Sequence, residues 1–166
     1  AYTMGLRRTA QPLAATQPEL ARQLIRAATC ESSPDGELFE YVYLFRGLDY
    51  RDDIPVHKLG RSRRIERRLK EVQNRAIFAD WELVHAIRCF GDRSITRMRP
   101  SEGDTLESLF HGLFASYRTA QAYGTEYFTL PQSEVDFICS VHFINALSLN
   151  IGVLNGTPNG MHERWR

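Results

Sequence analysis

Two charged side chains fall on helix faces that should be apolar. The segment 63–76 reads as a helix whose buried stripe is Ile65, Leu69 and Val72, at i, i+4 and i+7. Arg68 lies three residues after Ile65 and four before Val72, so it shares that side. A guanidinium at the border of a core needs a partner or an anionic ligand, because a lone buried charge is costly. A buried carboxylate pair or a snorkelling side chain would meet the need structurally. The segment 104–118 carries the opposite charge in the same kind of place. Glu107 shares a face with Phe110, His111 and Phe114. It could close a capping box after Asp104 or pair with His111 or Arg68. It could equally be a carboxylate aimed into a cleft to hold a hard metal ion through oxygen.

Lys58 is a third anomaly. It lies within a strand-like run, between His57 and Leu59 and two residues before Gly60. An inward ammonium there would favour ionisation of a neighbouring tyrosine, lowering its pKa from near 10. Tyr43, in the preceding strand-like run, reads on its own as a core aromatic. Basic residues also concentrate: seven of the thirteen residues from Lys58 to Lys70 are Lys or Arg and one is acidic, while the whole chain carries only +1. Such a segment is either a solvated helix face or a footprint for a polyanion.

These residues need elements to position them. The run at 38–46, rich in aromatic and β-branched residues, and the strand-like run at 55–60, separated by a short polar loop, predict an antiparallel hairpin. The helix 63–76 follows, then a strand at 82–90, a polar loop at 91–103 containing Arg93, Arg97 and Arg99, and the helix 104–118. A short strand at 126–130 and a helix at 132–149 capped by Ser133 complete the pattern. Ahead of the hairpin, residues 1–17 read as a loose arm and 18–30 as a helix opened by Pro18. The fold class is therefore α+β, a small, mainly antiparallel sheet flanked by helices. The organisation is an arm and helix over 1–37, a core over 38–131, a helix over 132–149 packed on that core and a loose tail over 150–166.

Composition narrows the function. A chain of 166 residues with 43% hydrophobic and 25% charged residues fits one globular domain. No stretch of about 20 apolar residues occurs, so no membrane helix is expected. Cys30, Cys89 and Cys139 fit neither a zinc motif nor a disulfide framework, which suggests free thiols and an intracellular, reducing setting. No G-x-S-x-G elbow, Walker loop or zinc pair appears.

The anomalies fall into a known pattern. Tyr41-Val42-Tyr43 looks like a GIY element and Lys58-Leu59-Gly60 like a YIG element. Arg61-Ser62 and Glu66-Arg67-Arg68-Leu69 resemble a K-I-G-R-T…E-R-R-L signature, with eight residues from Gly60 to Arg68. Leu106-Glu107 with His111, Phe114 and Arg118 resembles an L-E…H…F…R pattern, and Glu126-Tyr127-Phe128 an E-W-F element. From about Phe39 to Leu130 the chain thus resembles the GIY-YIG endonuclease superfamily, in particular its phage open-reading-frame and meiotically up-regulated-gene branch. Tyr41 in place of the first glycine and Lys58 in place of the YIG tyrosine are departures. The resemblance implies hydrolysis of DNA phosphodiesters at a single-metal site. Tyr43 would be the general base, assisted by Lys58. Glu107 would hold one Mg²⁺ or Mn²⁺, and Arg68 would clamp the phosphate. Arg61, Arg63 and Arg64 would contact the nucleic-acid backbone. The competing readings are a nucleic-acid-binding module without catalysis and a protein-interaction domain on the same fold.

Overall fold

The computed structural model describes residues 10–31, 39–49, 54–75, 79–90, 102–119 and 126–144. A helix over 10–16 (α1) leads into α2 (Pro18–Ala28) and β1 (Thr29–Cys30). The hairpin β2 (Phe39–Asp49) and β3 (Ile54–Ser62) follows, then α3 (Ile65–Arg75) and β4 (Ala79–Phe90). Helix α4 (Glu102–Leu113) runs into a 3-10 turn at Ala115–Tyr117, and β5 (Tyr127–Phe128), α5 (Gln132–Cys139) and β6 (Phe143–Ile144) complete the described chain. The six strands form one sheet in the order β1-β6-β4-β2-β3-β5, antiparallel except where β6 runs parallel to β4. The expected α+β class holds. No described helix is long and apolar enough to cross a membrane. The three cysteines are free, and only Cys89 is fully buried.

Alternation along β2 divides the interior into two cores. Val42 and Leu44 face one way, joining Leu59, Ile87 and Cys89 from the neighbouring strands. Leu106, Leu109, Phe110, Leu113 and Phe114 of α4 cover them, backed by α2 and α5. Tyr43 and Phe45 face the other way, where Val72 of α3 packs with Val56 and Trp81 and is flanked by Ile65 and Leu69. One face of the sheet thus carries most of the apolar burial. The other carries a small cluster under one helix, beside the charged residues.

Several expected boundaries move. Residues 10–16 are helical rather than a loose arm, and Ala10 and Ala14 are fully buried. Alanine is the strongest helix former, and Gly112 on α4 lets this helix approach. A Cβ there would stand 2.9 Å from the Ala14 Cβ and would meet the Gln11 carbonyl oxygen. Asp104 does not cap α4, which already begins at Glu102. Helix α5 stops at Cys139, with Pro131 rather than Ser133 in the cap position. The Arg88 N–H bonds the His142 carbonyl at 2.8 Å, and the β-favouring pair Phe143-Ile144 continues as a strand instead of helix. The loop arginines Arg93, Arg97 and Arg99 and the tail over 150–166 lie outside the described residues.

His57 anchors β3 to the segment after β5. Its Nδ1 accepts the Leu130 N–H at 3.3 Å, so that nitrogen carries no proton and the ring is neutral. Burial, then the charge of Arg46, lowers its pKa from 6.5 to about 4. A lowered histidine pKa means the folded state disfavours the charged ring. The stability is present above pH 6.5 and is lost as pH falls toward about 4, with an upper size of about 3 kcal/mol. Urea unfolding followed over that interval is expected to show this loss, and H57Q should flatten it. An equally steep loss in H57Q would assign the acid sensitivity to other groups.

Candidate functional site

The β2–β3 pairing sets Tyr43 opposite Gly60 and Phe45 opposite Lys58. Opposed residues of an antiparallel pair project to the same face. Tyr43, Phe45 and Lys58 therefore share the α3 side of the sheet. The Tyr43 and Phe45 rings stack with centroids 4.0 Å apart. The Tyr43 ring lies across Gly60: a Cβ at that position would meet the hydroxyl and stand 2.6 Å from Cζ. Only a residue without a side chain leaves that space.

Helix α3 brings Arg68 onto the same ring. Its Nε donates to the Tyr43 hydroxyl at 3.3 Å and its Nη1 donates to Glu71 Oε2 at 2.9 Å. The bond to Tyr43, then that to Glu71, raises the pKa of the guanidinium, so it stays charged. The carboxylate partner is thus Glu71, one turn along the same helix, and not Glu107. Burial was expected to be partial for Arg68, and the side chain is half-buried.

Lys58 is 3% exposed. Its Nζ donates to Glu126 Oε2 at 2.6 Å and sits 4.5 Å from the centroid of the Tyr127 ring. Both partners come from the short β5 segment, which pairs with β3 so that Lys58 opposes Tyr127. Glu126 was legible in the sequence only as part of a motif. Nothing in the spacing marks it as the counter-ion of a lysine 68 positions earlier.

Tyr43 is 1% exposed. Burial pushes its phenol above the ordinary value, while Lys58 and the Arg68 bond pull it down without prevailing. The expected net lowering by Lys58 is therefore not found: the pull exists, but desolvation outweighs it, and Glu126 adds to the rise. At neutral pH Tyr43 is a protonated phenol with a cationic donor on its oxygen.

Glu107 is placed differently. It is 7% exposed and belongs to α4, which packs on the opposite face of the sheet from α3. It lines an open groove of about 590 Å³ between α1 and α4, together with Ser108, His111 and Arg118. One turn on, His111 Nε2 lies 3.0 Å from the Leu59 carbonyl oxygen, and its ring contacts Phe128 at 5.3 Å. That side of α4 therefore leans over the β3–β5 edge. Burial lowers the His111 pKa, the bond to Leu59 opposes this, and the charges of Glu126, Arg118 and Lys58 all reach the ring. The structure thus gathers Tyr43, Lys58 and Arg68 with Glu126, while Glu107 stands on α4, the helix that packs on the other face of the sheet.

The expected backbone-contacting arginines separate as well. Arg63 and Arg64 are exposed ahead of α3, and the Arg64 N–H donates to Ser62 Oγ at 3.0 Å. Arg61 is half-buried and paired with Glu40 at 3.5 Å.

The family model for the T5orf172 domain matches residues 40–142, well over half of the chain. The chain belongs to the T5orf172 domain family. This is a phage open-reading-frame domain family associated with GIY-YIG-like and HNH-like endonucleases. The T5orf172 match runs from β2 past Leu130, where the resemblance was expected to end, and takes in α5. No curated protein and no solved structure matches the chain.

G60A tests the Tyr43 contact. The added methyl overpacks the ring against β3 and is expected to cost about 1–3 kcal/mol, read as a lower melting temperature by calorimetry. A wild-type melting temperature would show that the ring does not lie over Gly60.

Proposed function

We propose that this T5orf172 domain is a metal-dependent endonuclease hydrolysing phosphodiester bonds of DNA. The observation that supports this best is the hydrogen bond from Arg68 Nε to the Tyr43 hydroxyl, on a sheet face that also holds the buried ammonium of Lys58. Apolar cores do not need a cation pair around a phenol. A reaction that moves a proton beside a phosphate does.

In this reading the Tyr43 phenol first gives up its proton to solvent, and the phenolate then takes one proton from the attacking water as the water's oxygen bonds to phosphorus and the leaving oxygen departs. Burial makes a resting phenolate unfavourable, so the transfer depends on the two cations. Arg68 stabilises charge on the phenol oxygen and, through its remaining N–H groups, the charge that builds on the phosphate. Lys58 holds positive charge beneath the site. The exposed Arg63 and Arg64 contact the strand backbone, and Arg61, paired to Glu40, adds charge at the rim.

Among the described residues, no three His, Cys, Asp or Glu side chains gather to hold a metal. Mg²⁺ or Mn²⁺ does not require such a cage, since it can keep several waters and take its remaining ligands from phosphates. One carboxylate on an open groove fits that mode, and Glu107 is the residue that would supply it. When bound, the ion supplies positive charge against the phosphate and leaving oxygen.

A second reading has one observation in its favour: Glu107 stands on α4, which packs on the opposite face of the sheet from α3, so the domain could bind nucleic acid without cutting it. Supercoiled plasmid incubated with Mg²⁺, with and without a chelator, separates the two. Nicking that the chelator stops is expected; binding without nicking selects the second reading. R68A is expected to slow nicking by about a hundredfold or more at unchanged fold. Wild-type turnover with a lower melting temperature would make Arg68 structural. E107A is expected to abolish metal-dependent nicking, and wild-type nicking would remove Glu107 from the metal site.

A further inference from the structure

We propose that the groove beside Glu107 is a phosphodiester-binding subsite and that Arg118 is its anchor. The proposal deepens the nucleic-acid reading above, but it does not depend on cleavage.

Arg118 is fixed by its backbone. It closes the 3-10 turn with its N–H on the Ala115 carbonyl at 3.3 Å, and it bridges Phe128 on β5. Its side chain is held much less. Nη2 reaches only the His111 carbonyl oxygen, at 3.5 Å, and Cζ lies 5.7 Å from the Phe128 ring centroid. Nε is buried and has no hydrogen-bond acceptor. Three other half-buried arginines, Arg22, Arg61 and Arg68, each hold a carboxylate, Glu134, Glu40 and Glu71 respectively. Among the described residues Arg118 holds none within ion-pair distance.

A part-buried guanidinium without an anion costs free energy unless an anion arrives. What arrives must fit an open groove of about 590 Å³. Ser108 contributes a hydroxyl to its wall. His111 turns Nε2 to the Leu59 carbonyl, and burial keeps its ring uncharged. Arg118 is therefore the fixed cation among the described lining residues, with Glu107 as the carboxylate. A phosphodiester suits this guanidinium, whose planar fork can bind two phosphate oxygens at once.

The groove also meets the Lys58 cluster at the sheet edge, since its lining residue His111 sets Nε2 3.0 Å from the carbonyl oxygen of Leu59, the residue after Lys58. A nucleic-acid strand crossing the β3–β5 edge would contact Arg118 on one side and the Arg68 face on the other.

The test is equilibrium binding of a short fluorescein-labelled DNA duplex by anisotropy, with a chelator present so that no cleavage or metal bridge contributes. R118A is expected to weaken binding by about tenfold and to reduce the slope of log K against log salt by about 0.9, the share of one phosphate contact. R118K should recover most of the slope. Melting temperatures of both variants are measured alongside, and R118Q replaces R118A if alanine unfolds the turn. A wild-type affinity and slope in R118A or R118Q overturns the proposal and leaves Arg118 as a prop for the 3-10 turn. Absence of nicking by the wild type, with the R118A binding loss intact, would defeat the nuclease reading and support the subsite.

Discussion

The arrangement depends on one contact, a tyrosine ring laid across a glycine on the neighbouring strand. Tyr43 stands on β2, an inner strand between β4 and β3, and Gly60 lies opposite it near the end of β3. The ring fills the space that a side chain at 60 would occupy, so the phenol oxygen comes to rest under α3. This fixes how far the chain may travel after Gly60 before a cation must arrive. The turn through Ser62 to Arg64 and one turn of helix place Arg68 within hydrogen-bond distance of that oxygen. The spacing from glycine to arginine is the length needed to leave a strand, turn and come back over its partner.

The two faces of the sheet divide the labour. Helices α1, α2, α4 and α5 bury a broad apolar surface on one side, and that side supplies most of the hydrophobic stabilisation. The α3 side is poor in apolar contacts and rich in charge, and local rules of good packing fail there. Such failures are expected where a site is retained for function. The electrostatics of that side are decided by magnitude. Two cations pull on the Tyr43 phenol, yet desolvation of a fully covered ring wins. Part of the reason is that Lys58 is already neutralised at 2.6 Å by Glu126, whose charge opposes its effect on the ring.

The sequence was most informative where a periodicity and a violation of it coincided. The stripe Ile65, Leu69 and Val72 was enough to place Arg68 beside the second core, and the paired runs in β2 and β3 were enough to place the hairpin. Glu107 was legible as a carboxylate in a buried stripe, and it is buried. What periodicity does not carry is the identity of the surface a helix packs on. Helical spacing alone could not separate the α3 face from the α4 face. The helix over 10–16 escaped because its apolar residues are mostly alanines, which give little amphipathic contrast. Strand β6 escaped because two residues after a helix show no alternation, and their pairing partner Arg88 lies far away in the chain.

The lysine at 58 is best understood through β5. A buried ammonium is tolerable only with a close counter-charge, and removing one member of such a pair is far costlier than lacking the pair altogether. Here the counter-charge and the ring under the ammonium come from adjacent residues, Glu126 and Tyr127, with Tyr127 directly opposite Lys58 in the ladder. Lys58 and the Glu126-Tyr127 pair at the start of β5 are in this sense one feature. The Leu59 N–H bonded to the Glu126 carbonyl at 3.0 Å holds their backbones together, so the charge pair and the strand pairing that presents it stand or fall as a unit.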